Sequence, residues 1–434
     1  MHKKFFYKVN YSVFLFIFLI IAQGCVRNGK RGSGIKEKNY RTNIPYLVVL
    51  SMDGFRWDYP LIYDTPSLDS IAASGVKSQE LIPCFPSKTF PNHYSMATGL
   101  YPEHHGIVQN SFYDTVLGEY RLSDRKAVSN PEFYFGEPIW VTAEKQFIRS
   151  ACFYWPGSEA PIKGVYPDIY KEYDGSVSFE ARIDSVITWL EKPVKERPHL
   201  VMWYFDEPDH TGHEYGPESL QTKRMVEHID SLVGIFCRKI RSLSIADSVN
   251  LVFTSDHGMQ PISPDRAIAL DRLLKDRWVN RVGGANPVLM IDPNAGCSDS
   301  IMLALKNTRH LKIYTKSSLP KSLHYSDSDR IFDIVCVADS AWSIYWKAGH
   351  FSTGGTHGYD PSNRNMHAVF YATGPAFVKN YVAPPFQNIH LYPLFARILG
   401  LVPATTDGSL PPTAAMLREN AQKETKLPLS GNKN

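Results

Sequence analysis

The chain has 434 residues, enough for one large α/β domain or two ordinary ones. Its formal charge is only +4, and no stretch in its middle concentrates lysine or arginine, which excludes a protein that grips nucleic acid through a basic face. There is no internal repeat and no C-x-x-C pair, which excludes a solenoid and a zinc knuckle.

Lys3, Lys4 and Lys8 precede an apolar run from Val13 to Ala22. A basic start and a short apolar core predict a secretory signal over residues 1–24, too short for a comfortable membrane span. The run ends in Ala22-Gln23-Gly24-Cys25, which resembles a bacterial lipoprotein cleavage box with Cys25 as the lipidated first residue. The expected location is therefore the periplasm or the outer membrane of a bacterium, with membrane attachment through Cys25. Ordinary cleavage nearby and a soluble exported protein is the other reading. Residues 25–43 are polar and rich in glycine and lysine, and read as a tether.

Tyr46-Leu-Val-Val-Leu-Ser-Met52 is a continuous apolar run, as expected of a strand buried on both faces of a parallel sheet. It ends in Asp53-Gly54. In open α/β sheets the working groups sit at the carboxyl ends of strands, so Asp53 is placed to hold a metal. Next comes Pro83-Cys84-Phe85-Pro86-Ser87-Lys88-Thr89-Phe90-Pro91-Asn92-His93. Its prolines predict a stiff turn that becomes helical only after Asn92 and displays the Thr89 hydroxyl, as a nucleophile is displayed.

The strand pattern returns at His199–Phe205, which runs into Asp206-Glu-Pro-Asp209-His210-Thr-Gly-His213, and at Val249–Ser255, followed by Asp256-His257-Gly258. Carboxylate and imidazole are ligands for zinc or a similar divalent ion. Gly354-Gly-Thr-His357-Gly358 adds a histidine among glycines that let the backbone close around it. His104, His105, His228, His350 and His367 read as surface or hydrogen-bonded core residues, and His210 as exposed or supporting. Residues 263–347 carry their own strand patterns, Pro287–Ile291 and Ile331–Val337, and read as a small α/β insertion. Met366–Ala372 is expected to be another core strand. Asn388–Leu399 has a helical apolar stripe that stops at Gly400. Residues 417–434 read as a polar, frayed tail. Cys297 and Cys336 are candidates for a disulfide.

These segments together resemble the nucleotide pyrophosphatase/phosphodiesterase family of the alkaline phosphatase superfamily. The likeness runs from about Tyr46 to about Pro403, within a catalytic domain expected over residues 44–416. It rests on Ser51-Met-Asp-Gly-Phe-Arg56, Pro86-Ser-Lys-Thr-Phe-Pro-Asn-His93, Thr98-Gly-Leu-Tyr-Pro-Glu-His-His-Gly-Ile107, Trp155-Pro-Gly-Ser158, Glu207–Pro217, Ser255-Asp-His-Gly-Met259 and Gly355-Thr-His-Gly358, in family order. The resemblance implies an alkaline-phosphatase-like fold, α/β with a mostly parallel central sheet flanked by helices. It implies two zinc ions, one on Asp209, His213 and His357, the other on Asp53, Asp256 and His257 with Thr89 touching it. It further implies that Thr89 is the nucleophile, that Asn110 and the Phe90 amide donate to a phosphate oxygen, that Phe90 and Tyr173 sandwich a nucleobase, and that Trp155 lies beside that pocket. The substrate would be a small nucleotide, cleaved through a phospho-threonine to give a nucleoside 5′-monophosphate.

Four other readings stay open at this point. A lipid or choline headgroup diester could be the substrate. A phosphomonoesterase would need a cation near the nucleophile, for which Lys88 is the candidate substrate-binding group. Cys84-Phe-Pro-Ser-Lys88 resembles the sulfatase box, in which Cys84 would be the reactive residue. A surface lipoprotein that only binds would need no catalysis.

Overall fold

The computed structural model describes residues 38–349 and 352–418. The signal, Cys25, most of the tether, His350 and residues 419–434 lie outside them. Eight strands form the main sheet: β1 (Tyr46–Met52), β2 (Val76–Ser78), β3 (Ser150–Phe153), β4 (Ile169–Lys171), β5 (Leu200–Phe205), β6 (Val249–Thr254), β7 (Phe370–Thr373) and β8 (Tyr381–Ala383). Their spatial order is β8-β2-β7-β6-β1-β5-β3-β4. All neighbours run parallel except β7, which is antiparallel to both β6 and β2.

β1 lies at the centre and every residue in it is buried. Its two faces pack into different apolar layers. Leu47 and Val49 join one, with the helix α6 (Leu391–Leu399). Val48 and Leu50 join the other, with α1 (Pro66–Ser74), α3 (Phe179–Glu191) and α5 (Leu220–Arg241). A strand covered on both sides has no polar face, which is why it reads as an unbroken apolar run.

Two short helices carry the chemistry-bearing segments. Helix α2 spans Thr89–Thr98 and α4 spans Asp209–Tyr215. The expectation that the first segment stays non-helical until after Asn92 is not met, because α2 starts at Thr89 and includes Pro91. The amides of a helix's first turn have no intrahelical acceptor, so a proline there removes no bond. Lys88, extended at φ −113° and ψ 155°, caps this start.

Residues 279–338 form a separate four-stranded antiparallel sheet in the order Val279–Ala285, Val288–Pro293, Ile334–Ala338, Leu311–Thr315. The helix Ser298–Leu305 packs on it in a third apolar cluster. The strand expected over 366–372 is shorter: β7 begins at Phe370, and Met366 ends a 3₁₀ turn. Helix α6 stops at Gly400, which is left-handed at φ 61°. The expected tail starts late, since Leu417 is buried and bridges to Phe377. Cys297 and Cys336 are both free thiols, and Cys336 is enclosed in the small sheet, so the candidate disulfide is absent. Among the described residues no helix is long and apolar enough to cross a membrane.

Leu50 sits in register between Trp203 and Phe253 and is almost wholly enclosed. Leu50→Ala is expected to cost about 2–5 kcal/mol of stability, read from the midpoint of urea unfolding. An unchanged midpoint would contradict the central place given to β1.

Candidate active site

Three strands deliver acids to one end of the main sheet. Asp53 follows β1, Asp206 to Asp209 follow β5, and Asp256 follows β6. β1 lies between the other two, so its neighbours' loops converge over it. Gly54 permits this crowding. Its φ is +67°, and a Cβ there would stand 2.9 Å from the Asp209 Cα.

Three histidines face these acids in the same manner. His257, His213 and His357 each set Nδ1 2.8–2.9 Å from a backbone carbonyl, of Gly258, Gly355 and Ser87 respectively. A carbonyl only accepts, so Nδ1 carries the hydrogen and Nε2 is left with a lone pair. Each Nε2 then confronts carboxylate oxygen. His257 Nε2 lies 2.9 Å from Asp256 Oδ2 and 3.4 Å from Asp53 Oδ1. His213 Nε2 is 3.4 Å from Asp209 Oδ2, and His357 Nε2 is 3.6 Å from Asp209 Oδ1. Thr89 Oγ1 is 3.3 Å from His257 Nε2.

Lone pairs facing lone pairs in a buried site repel unless a cation lies among them. Asp53 Oδ1, Asp209 Oδ1 and Asp256 Oδ2 are buried and have no hydrogen-bond donor. Their other oxygens are held: Tyr204 Oη donates to Asp53 Oδ2 at 2.5 Å, and the Gly54 amide and Ser255 Oγ donate to Asp256 Oδ1. Burial, then the charges of Asp256 and Asp209, pushes the Asp53 carboxyl well above its ordinary range. Burial, then His257, Lys88 and His213, pushes the His357 imidazole well below its own. Two groups have donor atoms within 4.8 Å of one another, Asp53–Asp256–His257 and Asp209–His257–His357. His213 completes the second from its exposed side. The donor set therefore fits divalent ions of the zinc type.

A cavity of about 380 Å³ opens beside this cluster. Thr89, Asn110 and Asp209 lie at its inner end, and Phe90, Tyr154 and Tyr173 form its aromatic wall. Tyr173 meets Tyr154 edge-on at 5.1 Å, and its hydroxyl donates to Asp206 at 3.4 Å. Arg125 and Glu159, which form an ion pair, also line the cavity.

Residues 47–360 match the family model for type I phosphodiesterase / nucleotide pyrophosphatase. The chain belongs to this family. It is 37% identical over 381 residues to human ectonucleotide pyrophosphatase/phosphodiesterase family member 1, which covers 84% of this chain but 41% of that protein. It thus spans about two fifths of the length of that relative. It is also 37% identical to mouse bis(5'-adenosyl)-triphosphatase enpp4, across 89% of this chain and 84% of that one. Murine ectonucleotide pyrophosphatase / phosphodiesterase 5 superposes with a TM-score of 0.83 at 34% identity, covering 86% of this chain and all of that one. The same neighbour is known as an inactive threonine-to-alanine variant in complex with AMP. The main sheet and its helices are thus the alkaline-phosphatase-like fold of the family.

Three expected positions need correction in this family member. Trp155 does not border the cavity. It is buried, its indole N–H donates to the His93 carbonyl at 3.2 Å, and its neighbour Tyr154 takes the wall instead. Tyr154 and Trp155 directly follow β3, where successive side chains point to opposite faces, and they join different apolar clusters. Lys88 is not on the substrate side either. It is buried and its amine donates to the Asn286 carbonyl at 2.5 Å. The Phe90 amide is not a free donor, because it donates to Asn110 Oδ1 at 3.0 Å. That bond leaves the Asn110 Nδ2 group as the donor. Sequence reading missed Tyr154, Arg125 and Glu159, for which no motif gives a signal. It also missed Tyr204, hidden among apolar neighbours in β5. His210 borders the cavity and is exposed.

The acid cluster makes an opposite-sign prediction. Chelation should lower the melting temperature, and zinc at a hundredfold excess over Kd should restore about 2.7 kcal/mol. Asp53→Asn should raise the melting temperature of the metal-free protein above metal-free wild type. With zinc present it should melt below wild type. A wild type equally stable with and without metal would refute this.

Proposed function

We propose that this protein hydrolyses phosphodiester and pyrophosphate bonds of nucleotides and their derivatives and releases nucleoside 5′-monophosphates. The observation that carries the reading is the Thr89 hydroxyl beside imidazole lone pairs and donor-less carboxylates, at the inner end of an aromatic-walled cavity. The names of the relatives, which include nucleotide pyrophosphatases and a bis(5'-adenosyl)-triphosphatase, support it.

Divalent ions, two zinc ions by this donor set, would be held by Asp209, His213 and His357 and by Asp53, Asp256 and His257, and when bound they supply the Lewis acidity that lowers the pKa of a hydroxyl nucleophile and balances phosphoryl charge. The chain's own groups do the rest. Thr89 is the first residue of α2, whose positive end faces the incoming phosphate. Its Oγ1 attacks phosphorus, an Oγ1–P bond forms, the bond to the leaving oxygen breaks, and the Thr89 proton passes through solvent to the leaving group. Asn110 Nδ2 donates to a non-bridging oxygen. Water then attacks the phospho-threonine, Thr89 regains its proton, and the monophosphate leaves. Phe90 and Tyr173 stack on the base from the cavity wall. A neighbour inactivated by loss of a threonine supports Thr89 in this role, and its AMP complex supports a nucleotide product.

The rival chemistries lack a placed group. Cys84 is buried, its thiol donates to Asn388 Oδ1 at 3.1 Å, and it does not line the cavity, which disfavours a sulfatase-type role. Lys88 donates to the Asn286 carbonyl and does not line the cavity, and the cation that does, Arg125, is paired with Glu159, which disfavours a dianionic monoester. Lipid and choline diesters are the remaining competitors.

Thr89→Ala is expected to lower turnover of p-nitrophenyl thymidine monophosphate by roughly 10³-fold or more, while Cys84→Ala keeps most of it. The reverse outcome would overturn the assignment. Wild type should prefer this diester to p-nitrophenyl phosphate and to choline phosphodiesters. A preference for either competitor would refute the nucleotide reading. Tyr173→Ala should weaken kcat/KM for nucleotides by about 1–3 kcal/mol, mostly through KM, and should leave bis-p-nitrophenyl phosphate unaffected. Equal losses on both substrates would refute stacking.

A further inference from the structure

His93 is fully buried and carries no task in the reaction described. It lies one turn along α2 from Thr89, so its ring returns to the nucleophile's own backbone. Nδ1 is 2.9 Å from the Thr89 carbonyl oxygen. Nε2 is 2.8 Å from Ser51 Oγ, on β1 and two residues before Asp53. The Thr89 carbonyl only accepts, so the hydrogen is on Nδ1, and Nε2 accepts from the Ser51 hydroxyl. Both ring nitrogens are thereby used, with the ring neutral.

The ring's surroundings fix it from the remaining sides. It meets Trp155 and Tyr204 edge-on, both at 5.2 Å. Tyr204 is the residue that donates to Asp53 Oδ2, and Trp155 donates to the His93 carbonyl. Asp256 Oδ2 lies 3.4 Å from Nδ1. One side chain thus touches the backbone of the nucleophile, the strand that ends in Asp53, the tyrosine that orients Asp53, and Asp256.

We propose that His93 is a positioning residue, a strut that fixes where Thr89 stands relative to the Asp53 and Asp256 carboxylates. The inference rests on the reading of Thr89 as nucleophile. Helix α2 and the end of β1 are different elements, and nothing in helix propensity sets the distance between them to a fraction of an ångström. A rigid ring bonded at both nitrogens does so, and errors of 1 Å in such a placement cost about 10²-fold in rate. The same contacts account for Trp155, which supports His93 from behind instead of bordering the cavity.

The test separates the two ends of the strut. In His93→Asn the side-chain amide nitrogen can stand where Nδ1 stands and keep the bond to Thr89. In His93→Gln the amide reaches toward Ser51 and the donor to Thr89 is lost. His93→Gln is expected to slow phospho-threonine formation in single-turnover rapid quench by about 10–100-fold, with KM within about threefold of wild type. His93→Asn keeps the Thr89 end and loses the Ser51 end, and is expected to fall between His93→Gln and wild type, about threefold to tenfold below wild type. Zinc content of both variants should equal wild type. Equal rates in the two variants and wild type would overturn the proposal, as would losses that follow zinc content or melting temperature.

Should neither variant fold, Ser51→Ala removes only the far hydroxyl and is expected to lower kcat by about threefold to tenfold at unchanged KM. No effect on kcat would overturn the proposal. A reading independent of turnover comes from ¹⁵N NMR of the histidine-labelled protein. The His93 ring, assigned by its loss in His93→Asn, should show the neutral form protonated at Nδ1. An Nε2-protonated or charged ring would overturn the proposal. If Thr89→Ala keeps its activity, the nucleophile assignment fails. If Thr89→Ala is inactive and the His93 variants behave as wild type, only the strut fails.

Discussion

The arrangement depends on an electrostatic conflict. Three aspartates and two buried imidazoles, with His213 closing the exposed side, point lone pairs toward one another, and three of the carboxylate oxygens meet no donor. Such a cluster is unstable as plain protein, because desolvated like charges raise one another's energy and burial screens them poorly. The backbone carbonyls of Gly258, Gly355 and Ser87 reinforce the conflict, since each one fixes its histidine with the hydrogen on the far nitrogen. A site organised to resolve itself by holding cations is also organised to lower the pKa of a hydroxyl placed against it.

The sheet makes that crowding affordable in backbone terms. Adjacent parallel strands stop at the same level, so their following loops are brought together with no special folding of the loops themselves. β5, β1 and β6 are consecutive in space though far apart in sequence. The buried hydrophobic faces on both sides of β1 then resist any shift that would relax the charges. The small antiparallel sheet of residues 279–338 reaches the same end of the molecule through Asn286, which receives the Lys88 amine beside the start of α2.

The aromatic cavity is built differently. Its wall comes from α2 (Phe90), the residue after β3 (Tyr154) and the loop after β4 (Tyr173), at the edge of the sheet and not its centre. Tyr173 is 43% exposed, so the wall is open on one side. A face that accepts any flat ring and a separate inner end that handles phosphorus divide recognition from chemistry. Behind the inner end His93 meets Trp155 and Tyr204 edge-on, and of these three rings Tyr204 alone borders the cavity.

The sequence by itself determined which elements exist at the centre and which residue types they end in. A strand covered on both faces must be apolar throughout, and a strand-end aspartate followed by glycine or histidine stands out against that background. That pattern marked Asp53, Asp206 to His213 and Asp256-His257 as candidates, while the roles of Thr89, Asp209, His213 and His357 were expectations drawn from the likeness between motifs. Only the tertiary structure decided where side chains point. Trp155 and Tyr154 are adjacent, equally aromatic and both buried, yet of the two only Tyr154 borders the cavity. Lys88 stands beside the nucleophile in sequence and faces a carbonyl 198 residues away. The Phe90 amide is taken by Asn110, and His93 is bonded to both Thr89 and Ser51. Direction and partner are set by packing between distant segments, and a linear pattern carries no record of it.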